Sequence, residues 1–371
     1  MKQFQVELGN QSYPVLIGSG VLTRAGRILH SLGFRTAPVV VSNRRVLRLH
    51  GSSLLRSLEN AFGPVMILRA GDGERFKQHS TLIRLYRDLI RGRADRRSWI
   101  IAFGGGVIGD LAGFAAATYM RGIPYVGVPT TLLAQVDSSV GGKVGVNLAE
   151  GKNLIGAFHQ PRAVLSDTGA LGTLPPRELA SGLFEVVKCG AIRSEELFRY
   201  LERNVADLRQ CLSPVVSHII FEAMRVKAAV VAEDEREGRE RMVLNFGHTL
   251  GHALEAASAY RRFNHGEAVA WGMIAAAELS NSLGMLEARD AARIAALVHR
   301  IERLPALRGI SAARIWANLR RDKKFDSGSI RMVLLSRLGQ AEIVENLDPR
   351  YVRRFISEFL GTHQQVLCSE V

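Results

Sequence analysis

A short apolar run, Trp99–Phe103, passes without a break into Gly104-Gly105-Gly106-Val107-Ile108-Gly109-Asp110. Few architectures accept that junction. A strand that ends in consecutive glycines can turn tightly and bring its backbone against a ligand with no Cβ in the way. The helix that follows would point its first N–H groups into the turn, which suits a pyrophosphate. A glycine-rich packing turn is the competing reading of the same letters. The junction also lies near residue 105, away from the first strand-to-helix turn, so it is not the usual dinucleotide fingerprint.

Its surroundings read as alternating strands and helices. Phe4, Val6 and Leu8, then Tyr13, Val15 and Ile17, alternate across Gly9-Asn10, a hairpin signal. Apolar runs at Pro38–Val41, Val65–Leu68 and Tyr125–Val128 join Trp99–Phe103, with helix-length polar segments between several of them. That order predicts a parallel sheet covered by helices. Pro175-Pro176 breaks the pattern, and beyond it Ile294, Leu297, Val298, Ile301 and Leu304 fall on one helical face. Ile330, Met332 and Leu334 read as a short strand within that helical part. The expected architecture is a Rossmann-like α/β nucleotide-binding domain over residues 1–176 and a mainly α-helical domain over 177–371.

Two domains suit 371 residues, and 47% apolar with 23% charged residues are globular proportions. Cys189, Cys211 and Cys368 are far apart and odd in number, which argues against a disulfide framework and for a reducing compartment. The first residues, MKQFQVELGNQSY, lack the apolar core of a signal peptide. Ile101–Tyr119 is mostly uncharged, but its glycines and Asp110 make poor material for a lipid-facing helix. A soluble, cytoplasmic protein with no membrane partner is expected. The net charge of +14 asks for an anionic partner. Basic residues are interspersed with acids, as in Asp234–Arg241, and no nucleic-acid signature or basic arm is present, so a small anionic substrate is expected in place of nucleic acid.

Further segments carry chemistry. Pro129–Lys143 and Gly151-Lys152-Asn153 pack hydroxyls, glycines and two lysines more densely than a plain core would. Lysines beside glycine turns can hold phosphate or carboxylate. Asn245-Phe246-Gly247-His248-Thr249-Leu250-Gly251-His252 places two histidines four apart, on one face if helical, and His265 follows. Glu185 lies on the helix expected after Pro176, with Lys188 on the same face. A Glu/His/His set leaves an open coordination position, as catalytic zinc requires. Spacing alone nominates His248 and His252 as the ligand pair.

The segments GGGVIGDLAGFAAATYMRGI, VPTTLLAQVDSSVGGKVGVN, GKNLIGAF, FEVVKCG, DEREGRERMVLNFGHTLGHALE and HGEAV resemble the 3-dehydroquinate synthases, in order and across almost the whole chain. The resemblance implies a metal, zinc or cobalt, held by Glu185, His248 and His265, and it moves His252 to the substrate and to proton transfer. It implies NAD at Asn43, Glu74, Lys77, Gly105, Gly106, Asp110, Thr130, Thr131, Lys152 and Thr173. Lys143, Asn153, Asn245 and a lysine of Lys323/Lys324, with Lys324 favoured, would face the substrate, largely its phosphate. Lys227 and Arg241 match a carboxylate-binding pair. Arg121 matches an arginine that reaches the neighbouring subunit's site, which implies a homodimer. The catalytic set implied is His252, Glu237, Lys188 and Asp137, and for Glu237 a solvated charge run is the alternative. Cys189 and His159 stand where the family usually has aromatic residues, so altered packing is expected there.

The reaction implied starts from 3-deoxy-arabino-heptulosonate 7-phosphate. C5 is oxidised transiently, phosphate leaves by β-elimination with the substrate's own phosphate taking the C6 proton, and an intramolecular aldol step closes the carbocycle. Three alternatives compete. A cyclase acting on sedoheptulose 7-phosphate would have no carboxylate for Lys227 and Arg241. A polyol dehydrogenase would not need a lysine-rich phosphate pocket. A nucleic-acid-binding module would show salt-dependent DNA binding.

Overall fold

Residues 1–211, 213–321, 325–326 and 329–365 are described by the computed structural model; Lys323 and Lys324 lie outside them. The chain divides into two compact units, Met1–Leu179 with Gln210–Arg236, and Ala180–Arg209 with Glu237–Val371. The helix Ser213–Glu233 thus groups with the first unit, whereas the sequence reading drew a single division after residue 176.

In the first unit the strands run β1 (Lys2–Val6), β2 (Tyr13–Gly18), β3 (Val39–Asn43), β4 (Met66–Ala70), β5 (Ile100–Gly104), β6 (Tyr125–Pro129), β7 (Lys143–Leu148), β8 (Gly151–Phe158) and β9 (Val164–Asp167). Seven of them form one sheet in the order β1-β2-β9-β6-β5-β3-β4. Only β1 and β2 pair antiparallel, as the expected hairpin; the rest of the sheet is parallel. The cause is visible in the alternation of side chains. Val39, Val41, Ile100 and Ala102 enter one buried cluster with the helices His79–Arg91 and Gly106–Thr118. Val40, Ile101 and Phe103 enter the other, with Val21–Ser31 and Ser52–Phe62. Strands covered on both faces read as continuous apolar runs, and these do.

From β3 the chain proceeds outward to β4, and from β5 it proceeds the opposite way to β6. The crevice at the carboxyl ends of β3 and β5 is therefore the topological switch point, where α/β sheets bind ligands. Asn43 ends one strand there and Gly104 the other. The sequence reading did not anticipate β7 and β8, which pair as a separate antiparallel hairpin. Their glycines hide the strand pattern, yet Gly145 and Gly156 are needed: a Cβ on either would come within 2.5 Å of the facing backbone oxygen.

The second unit is mainly helical. It contains most of Pro176–Arg193 together with Glu195–Arg209, His248–Ala257, His265–Ser282, Ala288–Ile301, Ala312–Arg321 and Pro349–Gln365. A small antiparallel sheet (Phe325–Asp326, Ser329–Arg337, Gln340–Leu347) includes the short strand expected at Ile330–Leu334. Among the described residues no helix is long and apolar enough to cross a membrane. The stretch Ile101–Tyr119 resolves into a strand, a glycine turn and a buried helix.

Candidate active site

Each unit carries its own centre. In the α/β unit Gly105 caps the helix Gly106–Thr118 with no side-chain hydrogen bond. First-turn N–H groups without a side-chain cap favour an anion. A Cβ on Gly105 would stand 3.1 Å from Thr131 Cγ2 and one on Gly106 3.1 Å from Ser138 Oγ, whereas Gly109 faces open space. That space is a cavity bordered by Gly104, Gly105, Gly109, Asp110, Pro129 and Ser139. Ser139 Oγ is buried there with no hydrogen-bond partner among the described residues. Glycine backbone, helix N-terminus and an unmatched hydroxyl together fit a dinucleotide pyrophosphate.

Beside the cavity, Lys77 is 5% exposed and reaches both Asp110 and Asn153, the latter at 2.5 Å through Oδ1. Asn147 donates to Glu74 Oε1 at 2.7 Å and accepts from the Asn153 N–H at 2.9 Å. Glu74, Lys77, Asp110 and Asn153 therefore meet in one network, although the sequence reading divided them between cofactor and substrate. Asn153 adopts a φ of +56°, a left-handed conformation that asparagine tolerates better than most residues. Burial lifts the Asp110 carboxyl above its ordinary value, and Lys77 restrains the rise.

Other candidates in this unit sit as follows. Thr130 donates its N–H to the Gly104 carbonyl at 3.0 Å, and Thr131 Oγ1 accepts from the Ala134 N–H at 3.1 Å. Buried Asn43 caps the next turn through Val46 N–H (2.8 Å) and donates to Asp72 (3.1 Å). Thr173 contacts the Ala170 carbonyl at 3.2 Å and His50 Nε2 at 2.8 Å. Lys143 and Lys152 are exposed on β7 and β8, and Arg121 is exposed in a turn with a φ of +70°. Lys227, 6% exposed, pairs with Asp137 through Oδ1 at 2.6 Å and also with its carbonyl. Its cationic charge is thus met by a carboxylate of the same unit.

In the helical unit, Glu185 is buried midway along Pro176–Arg193. Its company is ionic: Lys188 presses against Oε2, while His248 Nε2 and His265 Nε2 each stand 3.6 Å from Oε1. Donor atoms of Glu185, His248 and His265 all lie within 4.8 Å of one another. His248 Nδ1 faces the Phe246 carbonyl at 3.1 Å, an acceptor that would keep Nε2 free to ligate. A buried carboxylate with two converging imidazoles fits a divalent ion of borderline softness.

Close helix packing creates this convergence. His248 opens its helix behind Gly247, whose φ is +78°, and His265 opens the next behind Asn264, which with Glu267 forms a capping box. A Cβ on Gly272 would stand 1.8 Å from the Gly247 carbonyl oxygen, and one on Gly266 2.4 Å from Ser181 Cα. Gly272→Ala should therefore destabilise the protein by about 3 kcal/mol or more and part His248 from His265. A urea midpoint equal to wild type, with unchanged metal content, would contradict this account of the site.

Charge is distributed unevenly in the cluster. Burial acts to raise Glu185, but Lys188 and the two imidazoles outweigh it and hold the carboxyl well below the usual range. His248 is driven down by burial and by Lys188. Burial also opposes charge on His265, yet Glu185 and Glu255 push it up to about 10. Exposed His252 forms a second donor group with Glu255 and His265, and among the described residues does not share one with His248. Arg241, 2% exposed, and Asn245 lie on the turn Glu240–Asn245 that leads into Gly247-His248. Glu237 is half-buried with a φ of +61°. Glu255 was missed by sequence reasoning. It lies seven residues after His248 and three after His252, a helical spacing that could have flagged it.

Models of the 3-dehydroquinate synthase N-terminal and C-terminal regions match residues 67–181 and 182–325. The chain belongs to the 3-dehydroquinate synthase family. It is thus an enzyme of the sugar-phosphate cyclase group. Among solved structures, it is similar to 2-deoxy-scyllo-inosose synthase complexed with carbaglucose-6-phosphate, NAD+ and Co2+. That match has 29% identity, a TM-score of 0.85 and coverage of 96% of this chain and 100% of that one. It is also similar to 2-epi-5-epi-valiolone synthase from Streptomyces hygroscopicus subsp. jinggangensis 5008 with NAD+ and Zn2+ bound, at 27% identity, TM-score 0.86 and 97% and 98% coverage. Glycerol dehydrogenase from Schizosaccharomyces pombe, at 16% identity, TM-score 0.67 and 96% and 91% coverage, shares the fold.

Proposed function

We propose that this chain is a 3-dehydroquinate synthase, a carbon–oxygen lyase of the shikimate pathway to aromatic amino acids. It converts 3-deoxy-D-arabino-heptulosonate 7-phosphate to 3-dehydroquinate and phosphate, with catalytic NAD and a zinc or cobalt ion. The observation that carries the reading is the convergence of His248 Nε2 and His265 Nε2 on one buried oxygen of Glu185, each at 3.6 Å. Both cyclases of similar structure were solved with NAD+ and a divalent metal, which supports the same pair of groups here.

When bound, NAD supplies a reversible hydride acceptor for C5 of the substrate and the ion a Lewis acid for its hydroxyl. The rest falls to the chain's own side chains. N–H groups at the start of Gly106–Thr118 would hold the pyrophosphate, with Thr130, Thr131 and Lys152 beside it. Lys77 and Asp110 would fix the wall of that pocket through their ion pair. Lys188 and His252 would hold and move protons on the substrate, and Lys143 and Asn153 of the α/β unit would bind its phosphate. Arg241 would take the carboxylate, which separates this substrate from a carboxylate-free sugar phosphate. A homodimer completed by Arg121 belongs to the same proposal.

Phosphate release from the heptulosonate phosphate, with NAD well below one equivalent of substrate, tests the reading. Many turnovers per NAD are expected, with no net NADH and with activity lost on chelation and regained with zinc or cobalt. Net accumulation of NADH would identify a dehydrogenase, and full activity after rigorous metal removal would defeat the metal assignment.

A further inference from the structure

We infer that Glu255 is a positioning residue: its carboxylate faces Nδ1 of His265 and so orients that ring with Nε2 aimed at Glu185 and His248. The inference rests on the reading of Glu185, His248 and His265 as the metal-holding set. Its basis is geometric. His265 Nε2 stands 3.6 Å from Glu185 Oε1, and on the opposite side of the same ring Nδ1 stands 3.6 Å from Glu255 Oε2. Glu255 is 5% exposed, a depth at which a carboxylate needs a cationic or hydrogen-donating neighbour. It reaches His265 from the helix His248–Ala257, while His265 begins the next helix. Backbone contact between the two helices, Gly251 against Ala268 with 2.9 Å for a Cβ, fixes the reach of that carboxylate.

The two imidazoles are consequently oriented by different acceptors. His248 has the neutral Phe246 carbonyl at Nδ1, and His265 has a carboxylate. A carboxylate partner selects the tautomer and raises the basicity of the ligating nitrogen more than a carbonyl does. His265 is the one that needs it. Its side chain is 32% exposed against 10% for His248, so packing alone restrains it less. Glu255 also stands with His252 and His265 as a donor triple, which makes a second ion at that triple the rival account.

Zinc affinity and stoichiometry, measured by chelator competition on the full chain, separate these accounts. Glu255→Gln should bind one zinc per chain, as wild type does, but about 10- to 100-fold more weakly. Its cobalt-loaded form should show an altered d–d absorption spectrum, which loss of packing elsewhere would not produce. Equal affinity and an identical cobalt spectrum would overturn the inference. So would two zinc ions per wild-type chain with one lost in Glu255→Gln, since Glu255 would then be a ligand. A wild type that binds neither metal would remove the underlying reading as well, and is told apart by the control itself. Should the variant not fold, nitrogen–proton correlation of the imidazoles in zinc-loaded wild type decides. Ligation of His265 through Nε2 with Nδ1 protonated is expected, and ligation through Nδ1 overturns the inference.

Discussion

Glu185→Gln is expected to leave a protein without stoichiometric metal and with turnover reduced about a thousandfold or more. The magnitude follows from the loss of a Lewis acid worth several kcal/mol at the reacting oxygen, where each 1.4 kcal/mol is tenfold in rate. A second effect accompanies it. Lys188 is 2% exposed and its ammonium rests against Glu185, so the amide strands a buried cation, at about 3–5 kcal/mol of stability. Those effects can be separated. Glu185→Gln combined with Lys188→Met removes the stranded charge and should recover most of the stability while metal and activity stay lost. His252→Ala supplies the contrast, because exposed His252 shares no donor group with His248 among the described residues and should be dispensable for stoichiometric metal while costing turnover. Metal lost from His252→Ala at unchanged folding would restore the pair that helical spacing nominates. Metal retained in Glu185→Gln would remove Glu185 from the set.

The α/β fold was legible because both of its determinants are local. Two-residue alternation sends Val39 and Val41 to one face and Val40 to the other, and a strand that ends in three glycines announces its own turn. The hairpin β7–β8 was not legible, since Gly145 and Gly156 serve backbone-to-backbone contact and interrupt the apolar pattern that marks a strand. At the metal-type cluster, the period of one helix could bring His248 together only with residues of that helix, hence His252. His265 joins through a second helix, and the packing that allows it is written in Gly247, Gly251 and Gly272, whose role no one-dimensional period exposes. Family resemblance supplied that pairing instead. The contact between Lys227 and Asp137 spans 90 residues, and neither neighbourhood hints at the other. Glu255 was within reach of periodicity, but a glutamate inside an apolar helix reads as an ordinary polar position until His265 is seen beside it.

Arg241→Ala should separate the substrates. Arg241 is 2% exposed on the turn before Gly247-His248, so a charge contact it makes with substrate is shielded from water and correspondingly strong. Removing one partner of such a contact costs about 2–5 kcal/mol, roughly 30- to several-thousand-fold in kcat/KM for the heptulosonate phosphate. For carboxylate-free sedoheptulose 7-phosphate the loss should be far smaller, if wild type turns it over at all. Arg241→Lys tests the geometry, because a lysine keeps the charge but cannot form a bidentate fork. It should therefore recover only part of the activity. Lys227 weighs on the other side: Asp137 already meets its charge at 2.6 Å, so a substrate carboxylate must compete for it. If Lys227 stays with Asp137, Arg241 bears the carboxylate alone and Lys227→Met should cost both substrates equally. Equal losses for both substrates in Arg241→Ala would make that arginine structural. A wild type that prefers the carboxylate-free sugar would keep the family and overturn the dehydroquinate assignment, placing the chain with the cyclases of carboxylate-free sugar phosphates.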